Sequence, residues 1–294
     1  MGSKSFSKRK LLRRVISSVT ALFMLASPVF AAECTGRRLI QRGEVYRNAL
    51  NVRIDGEEYG GEVFLLANTA YVSVREFSDY SGARSIEWDG ETSTATVTAD
   101  SLVLSVTADE YYIEANGRAL WCENGSFVDG GRLYAPLRAL SGAFGYACIY
   151  DGERDTVYLS REKAAIECGD SFYDADVLYW LSRIINAEAG AEPFFGKIAV
   201  GSVIMNRVRS GEFPNDTIGV IFDTENGVQF SPVSNGSIYE EPDRDSVIAA
   251  KLTLEGVNVA GDALYFLNVS LAESYWIVNN CSYVMTVGSH DFYS

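Results

Sequence analysis

Glu188 is the residue of this sequence whose position most clearly suggests chemistry. The stretch DADVLYWLSRIINAEAG starts at Asp174, a good N-cap, and its apolar residues recur at helical spacing up to Ile184 and Ile185. Glu188 lies three and four residues beyond these isoleucines, so it continues the buried face at the helix end. Burial raises the pKa of a carboxyl group. Such a group can act as a general acid at a glycosidic oxygen, or simply form hydrogen bonds at a helix end.

A second helix is expected to pack beside the first one. Glu192-Pro193 ends the first helix, because proline disfavours helical geometry in the residue before it. Residues 195–210 then form the second predicted helix, in which the small residue Gly201 allows close packing. Glu192 could place a like charge near Glu188 if the first helix continued, but the proline favours a structural role for it.

Polar and aromatic residues are concentrated further along the chain. The sequence GVIFDTENGVQFSP, residues 219–232, predicts a hairpin that turns at Asn226-Gly227 and carries Gln229 on its returning strand. A helix is predicted within residues 241–256. The segments that follow are rich in aromatic rings and amides, a composition that suits a glycan-binding cleft, although each ring by itself could equally fill a core.

Histidine and cysteine usage restricts the chemistry. His290 is the only histidine, so a zinc site built on two or three histidines is excluded. The five cysteines show no metal-ligand spacing, and neither a metal nor another cofactor is expected. Cys122 with Cys148, and Cys168 with Cys281, are the candidate disulfides. At least one of the five cysteines must then stay unpaired.

Residues 1–32 have the layout of a secretory signal peptide. A basic region precedes an apolar run, residues 15–26, that is shorter than the roughly 20 residues a membrane span needs. Glu33 before Cys34 is unsuited to lipid attachment, so no lipid anchor is expected and the mature chain should be secreted. The formal net charge of −14 becomes more negative without this segment. Such a surface disfavours nucleic acid, anionic lipid and tight docking on an anionic wall polymer.

Residues 71–97 and 134–159 form an internal repeat. Each unit predicts an edge strand, a short helix around Arg75 or Arg138, and a hairpin whose Asp-Gly pair supplies the positive φ angles of the turn. The pattern resembles the copper amine oxidase N-terminal-like domain, and it predicts an α+β module over residues 45–161. This segment has no histidine for copper, so the resemblance favours a spacer or wall-binding module.

After a linker at residues 162–173, residues 174–294 resemble the SleB-type, spore cortex-lytic cell wall hydrolase family. The resemblance is carried by motifs in the same order: RIINAEAGAEPFFGKIAVGSVIMNR, GVQFSP, ALYFLN, SYWIVNN and VGSHDFY. It implies a lysozyme-like, mainly helical catalytic domain with a small β element, which acts on peptidoglycan. One departure is Val269, where related sequences tend to carry proline.

The resemblance also implies roles for individual residues. The family's catalytic glutamate lies in the NAEA motif, which here makes Glu188 the acid. The GVQF motif implies that Gln229 lies beside it. The expected substrate-binding residues are Gln229, Phe230, Tyr265, Asn268, Trp276 and His290.

The expected activity is cleavage between N-acetylmuramic acid and N-acetylglucosamine by a lytic transglycosylase, at the cell wall or spore envelope. Spore cortex during germination and vegetative wall both stay open as the substrate. A hydrolytic muramidase, with Asp223 or Glu225 as second carboxylate, stays open. So does a non-catalytic wall-binding or germination-assembly protein that retains the fold. In each case the N-terminal module could bind a wall or spore-coat partner. A cysteine peptidase is a weaker alternative, which would need Cys281 beside His290.

Overall fold

A computed structural model of the chain describes residues 45–47, 50–225, 228–272 and 274–294. The predicted signal peptide and Cys34 lie outside these residues. The described part combines helices and sheets, which confirms the α+β class. None of its helices has both the length and the apolar composition required to span a membrane.

The N-terminal half consists of sheets and short helices. All but one of its described strand pairings are antiparallel, and its strands are β1 (Val45–Arg47), β2 (Asn51–Ile54), β3 (Glu57–Glu58), β4 (Val63–Leu66), β5 (Thr69–Ser73), β6 (Ser85–Asp89), β7 (Thr94–Ala99), β8 (Leu102–Thr107), β9 (Tyr112–Ala115), β10 (Arg118–Trp121), β11 (Phe127–Asp129), β12 (Arg132–Pro136), β13 (Tyr146–Asp151) and β14 (Thr156–Arg161). Its helices are α1 (Val74–Tyr80) and α2 (Leu137–Ala143). The sheet orders are β1-β4-β5-β12-β11, β10-β9-β8-β7-β6 and β13-β14-β2-β3, and the pairing of β14 with β2 is parallel.

The two predicted repeats adopt the same order of elements. The first runs β5, α1, β6 and β7, and the second runs β12, α2, β13 and β14. The central strands β5 and β12 pair with each other, so the repeats share a sheet. The apolar residues of both repeats form one core, which includes Phe77 of α1 and Leu140 of α2.

The prediction for the turn of each hairpin was wrong. Asp89 pairs with Thr94, so the first hairpin has a four-residue loop, and the positive φ falls on Ser93, at 54°. The second loop has its positive φ on Asp155, at 44°. The aspartate that begins each loop acts through its side chain: the Asp89 carboxylate accepts a hydrogen bond from the Glu91 amide at 2.8 Å.

The C-terminal half is mainly helical. Its helices are α3 (Gly169–Phe172), α4 (Ala175–Ala189), α5 (Phe194–Ser210), α6 (Thr217–Ile221), α7 (Ser231–Asn235), α8 (Arg244–Leu254) and α9 (Trp276–Asn280), with short 3-10 turns at Ser237–Tyr239 and Val269–Leu271. A three-stranded antiparallel sheet has the order β15 (Tyr265–Leu267), β17 (His290–Tyr293) and β16 (Tyr283–Val287). Helix α3 lies inside the predicted linker, and the domain boundaries stay a prediction.

Helices α4, α5 and α8 pack closely around Gly201. The Asp174 carboxylate caps α4 by accepting from two amides, as predicted. A Cβ atom on Gly201 would come within 2.5 Å of Thr253 Oγ1 on α8 and 3.0 Å of Ile185 Cδ1 on α4. A larger residue at position 201 would therefore push the helices apart.

The strands of the hairpin predicted over residues 219–232 do not form. Its predicted turn, Asn226-Gly227, lies outside the described residues. Residues on both sides of that turn are helical, in α6 and α7. Asp216 caps α6 through a 2.7 Å bond from the Gly219 amide, and Pro232 lies in the first turn of α7, where proline is well tolerated. These local signals favour helices on both sides of the Asn-Gly pair.

The two halves are joined by polar and aromatic contacts. The hairpin β9–β10 packs on α8 and on the start of α5. Tyr112 belongs to the same buried cluster as Ile184 and Ile248, so the hairpin contributes to the core of the helical half. Tyr111 and Trp121 both contact the Phe195 ring edge-on, with centroids 4.9 and 5.7 Å away.

The two candidate disulfides do not form. Each of the four described cysteines is a free thiol. Cys122 follows β10 and Cys148 lies on β13, which belong to different sheets. Cys168 precedes α3, whereas Cys281 follows α9 at the other end of the helical half.

Candidate active site

Glu188 lies in the last turn of α4. The preceding residues of its face, Leu181, Ile184 and Ile185, are fully buried, and the Glu188 side chain is half-buried. Burial raises the pKa of Glu188 to about 7, although the positive charge of Arg207 opposes this rise. No described residue donates a hydrogen bond to its carboxylate. The group can therefore carry a proton near neutral pH.

Arg207 is a buried cation beside this carboxyl group. Its side chain is only 5 % exposed, and its Nε donates a 2.7 Å hydrogen bond to the carbonyl oxygen of Leu264. Nη1 has no hydrogen-bond partner among the described residues. Burial lowers the pKa of Arg207 to about 10, while Tyr265, Asp223 and Glu188 oppose the shift, so the group stays charged at neutral pH.

A polar network holds the end of α4 in place. Asn186, two residues before Glu188, accepts hydrogen bonds from the Asp243 amide at 3.1 Å and the Ser246 hydroxyl at 3.2 Å. Asp243 also caps α8 and pairs with the buried Lys197 of α5. The network connects α4, α5 and α8, and it holds the C-terminal part of α4 in place two residues before Glu188.

The segment between α6 and α7 brings further polar groups towards this region. Asp223 is half-buried, interacts electrostatically with Arg207, and accepts a 2.9 Å hydrogen bond from the Glu225 amide. Glu225 is exposed, and Gln229 is half-buried. Phe230 is only 2 % exposed and packs in the core, with the Arg207 guanidinium 5.2 Å from its ring centroid. Its ring is therefore unavailable for stacking on a sugar, contrary to prediction.

Two of the other predicted residues form an aromatic pair at the surface. Tyr265 on β15 is half-buried, and Trp276 at the start of α9 is 55 % exposed, with ring centroids 6.2 Å apart. The Arg207 guanidinium lies 5.6 Å from the Tyr265 ring centroid, which connects this pair to the charged groups. Asn268 caps the following 3-10 turn by accepting from the Ser270 amide at 3.0 Å.

His290 lies inside the sheet of the helical half and packs edge-on against Phe266, 5.3 Å between centroids. Burial lowers its pKa, opposed by Glu192 and Asp291, and Nδ1 has no partner among the described residues. Glu192 accepts hydrogen bonds from the amide and hydroxyl of Ser289, which is a structural contact.

The cysteine peptidase alternative is contradicted by the β16–β17 register. His290 pairs with Val287 near the turn, whereas Ser282, the neighbour of Cys281, pairs with Ser294 at the opposite end. Four residues along a strand correspond to about 13 Å, which is beyond the reach of a thiol–imidazole hydrogen bond.

Arg207 is the functional candidate that the sequence analysis missed. It follows Val203 and Ile204 by four and three residues, so it continues the buried face of α5 as Glu188 continues that of α4. The same helical spacing could have found it. Within the described part of the chain, no group of three or more His, Cys, Asp or Glu residues is arranged to hold a metal ion.

Comparison with known proteins supports both resemblances. Residues 191–293 match the cell wall hydrolase family, and residues 53–159 match the copper amine oxidase N-terminal domain. The first match begins after Glu188, so it does not include that residue.

Similar proteins include spore cortex-lytic enzymes. The enzyme of Bacillus cereus is 33% identical over 120 residues, which span 41% of this chain and 45% of that protein. The Bacillus subtilis enzyme is 34% identical over 112 residues, or 38% of this chain and 35% of that protein. The chain thus spans less than half the length of these relatives.

A solved structure also matches the chain: the catalytic domain of the germination-specific lytic transglycosylase SleB from Bacillus anthracis. It is 32% identical, and the match covers 44% of this chain and 100% of that one, with a TM-score of 0.39. The family match is confined to residues 191–293, so it is the C-terminal half of the chain that resembles the cell wall hydrolase family.

Proposed function

We propose that this protein degrades peptidoglycan by cleaving the bond between N-acetylmuramic acid and N-acetylglucosamine, with Glu188 as the general acid. The observation that carries the proposal is the raised pKa of Glu188, about 7, in a chain whose residues 191–293 match the cell wall hydrolase family. Departure of a sugar oxygen requires a proton, and a carboxyl that titrates near 7 can deliver it at neutral pH.

The reaction proposed is lytic transglycosylation, for which one carboxyl group suffices. Glu188 gives its proton to the bridging oxygen as the bond to C1 of N-acetylmuramic acid breaks, which releases the N-acetylglucosamine hydroxyl. The resulting carboxylate then takes the proton from the C6 hydroxyl of the same muramic residue while O6 bonds to C1. The product has a 1,6-anhydro end, Glu188 is protonated again, and no water is consumed.

Arg207 fits this cycle as a charge partner for Glu188. The carboxyl is neutral before bond cleavage and negative after it. A nearby guanidinium favours the negative form, since opposite charges attract more strongly where water is excluded. Burial alone would favour only the protonated form. The two effects together keep both protonation states accessible.

Substrate contacts in the proposal are made by exposed rings and amides. Trp276 and Tyr265 offer ring surface on which a sugar can stack, and the half-buried Gln229 offers an amide. A lysozyme-like cleft belongs to the proposal as well. It is supported by the packing of α4 against α5 and α8, which leaves Glu188 at a helix end with its carboxyl free of described partners.

Hydrolysis by the same site is the second candidate. An inverting or retaining hydrolase needs a second carboxylate. Asp223 is a better second carboxylate than the exposed Glu225, because it is half-buried and interacts electrostatically with Arg207.

We place the protein, after secretion, at the cell wall or spore envelope, with spore cortex as the substrate during germination. The names of the similar proteins support cortex, and the predicted signal peptide supports secretion. Peptidoglycan glycan strands are the proposed partner, and a wall or spore-coat component bound by the N-terminal module is a further one.

Mass spectrometry of digested sacculi tests the proposal. Purified protein is incubated with cortex sacculi and with vegetative sacculi in parallel. Anhydro-muramic ends are the expected product, and cortex should be digested faster. Products that are heavier by one water would establish hydrolysis instead. The absence of any soluble fragment from both substrates would reject an enzymatic role and leave a wall-binding protein.

A further inference from the structure

Each repeat of the N-terminal half presents one aromatic ring at the end of its hairpin. Trp88 occupies the second-last position of β6 and is 48 % exposed, and Tyr150 occupies the same position of β13 and is 51 % exposed. Both strands are at the edge of their sheets. The internal repeat therefore places an exposed ring at two equivalent points of the molecule.

The remaining exposed positions of the two strands have diverged. The exposed Glu87 of the first repeat corresponds to the exposed Ile149 of the second. The aspartate after each ring, Asp89 or Asp151, is explained by the fold, since its carboxylate accepts a hydrogen bond from an amide of the loop. Each ring also covers the buried residue opposite it, Ala95 or Val157, but a smaller apolar side chain would give that cover without leaving half of a large ring exposed.

Both rings are held in place by the loop that follows. A Cβ atom on Gly90 would lie 3.7 Å from Trp88 Nε1, and one on Gly152 would lie 3.5 Å from Tyr150 Cε1, so each ring lies against a loop glycine. The Tyr150 hydroxyl also donates a 2.9 Å hydrogen bond to Asp155. A ring that is already ordered loses little entropy when a ligand stacks on it.

The charges near the rings restrict the ligand. Asp89 and Glu91 flank the first ring, and Asp151 and Glu153 flank the second, in a chain of net charge −14. Anionic polymers are repelled by such a surface. Sugar hydroxyl and amide groups, by contrast, donate hydrogen bonds to carboxylates, and the apolar faces of sugar rings stack on aromatic side chains.

We propose that Trp88 and Tyr150 form a pair of binding sites for the sugar backbone of peptidoglycan glycan strands. This inference rests on the proposed function only for the identity of the glycan. Two such sites in one module suit a polymer of repeating units, because a strand that binds one ring can meet the other at high effective concentration. Glycan strands bound here are held next to the helical half, to which the module is fastened by the β9–β10 hairpin.

The test measures binding of the full-length chain to insoluble sacculi by co-sedimentation, in the Glu188→Gln background so that the substrate persists. The leucine variants Trp88→Leu and Tyr150→Leu keep apolar cover over the buried strand residues opposite, Ala95 and Val157, but remove the flat ring. Each variant should weaken binding roughly 3- to 10-fold, and the double variant by about the product of the two. Trp88→Tyr should retain most of the binding.

The matched control is Tyr80→Leu, which removes an equally exposed ring, 48 %, from α1 of the same module. It should bind as the parent does. The inference is wrong if the double variant binds as tightly as this control, or if Tyr80→Leu alone abolishes binding. Release of anhydro-muropeptides by the protein with Glu188 intact is measured separately. Failure there rejects the proposed function, whereas the sedimentation result still decides whether the two rings bind glycan.

Discussion

The Arg118 guanidinium forms a bidentate pair with the Glu255 carboxylate, at 2.7 Å from Nε to Oε1 and 2.6 Å from Nη2 to Oε2. The two residues are 137 positions apart, on β10 of the N-terminal half and at the end of α8. Both side chains are nearly buried, and Tyr173 donates a further 2.7 Å hydrogen bond to Glu255. The repeat module is therefore fastened to the helical half.

Removal of one partner of this pair should destabilise the whole protein. Arg118→Met leaves the Glu255 carboxylate in a poorly solvated place, at an expected cost of about 3 kcal/mol in the free energy of unfolding. Urea unfolding followed by circular dichroism measures it. The double variant Arg118→Met with Glu255→Leu should recover much of the loss, since no charge is left unpaired. A double variant as unstable as the single one would mean that the pair is not the cause.

Glu188→Gln should slow the release of anhydro-muropeptides by about a hundredfold to ten-thousandfold, the usual contribution of a general acid. Glutamine keeps the size of the side chain but has no proton to donate. The matched control is Glu192→Gln, which changes a carboxylate that bonds to Ser289 and should leave most of the activity. Equal rates for Glu188→Gln and the parent would reject Glu188 as the acid.

The same substitution should change how stability depends on pH. Glu188 releases its proton near its ordinary pKa of 4.5 when unfolded but at about 7 when folded, so stability falls as the pH rises through this window. The difference corresponds to about 3 kcal/mol above pH 7. Glu188→Gln should therefore resemble the parent at pH 4 and be more stable at pH 8. A stability difference that is constant between pH 4 and pH 8 would contradict the raised pKa.

Local patterns in the sequence predicted the helices that carry Glu188 and Arg207 well, although not the helices α6 and α7 that follow. Helix α4, its Asp174 cap and the break at Pro193 all follow from residues within one or two turns. The repeat order was likewise visible, because each unit carries its own strand, helix and hairpin signals. Helix spacing alone would also have identified Arg207, had the rule been applied to α5.

Other features depend on contacts that no local pattern encodes. The Arg118–Glu255 pair joins residues far apart in the sequence. Phe230 was predicted to face a substrate because of its motif, but its burial depends on Phe266 and Arg207, which come from other elements. The same applies to Asn186, whose partners Asp243 and Ser246 lie on α8.

Arg207 should influence the pH dependence of the reaction. Activity that requires protonated Glu188 falls as the pH rises past the pKa of that group, near 7. The Arg207 charge lowers this pKa, so Arg207→Met should move the alkaline limb of the pH–rate profile to higher pH. Arg207→Lys keeps the charge and should leave the limb near its original position. If the alkaline limb of Arg207→Met stays at the parental pH, the Arg207 charge does not lower the pKa of Glu188.

Asp223→Asn should distinguish the two proposed reactions. Under transglycosylation, Glu188 both gives and receives the proton, so loss of the Asp223 charge should reduce the rate only modestly and leave the anhydro product unchanged. Under hydrolysis, the second carboxylate activates water or forms the glycosyl intermediate, and the variant should lose activity by orders of magnitude. Glu225→Gln is the matched control, because Glu225 is exposed and adjacent in the same segment. Mass spectrometry of the products of both variants distinguishes the two reactions. Anhydro ends that persist in Asp223→Asn at near-parental rates exclude Asp223 as a catalytic carboxylate. Loss of activity in Asp223→Asn but not in Glu225→Gln identifies Asp223 as the second catalytic carboxylate.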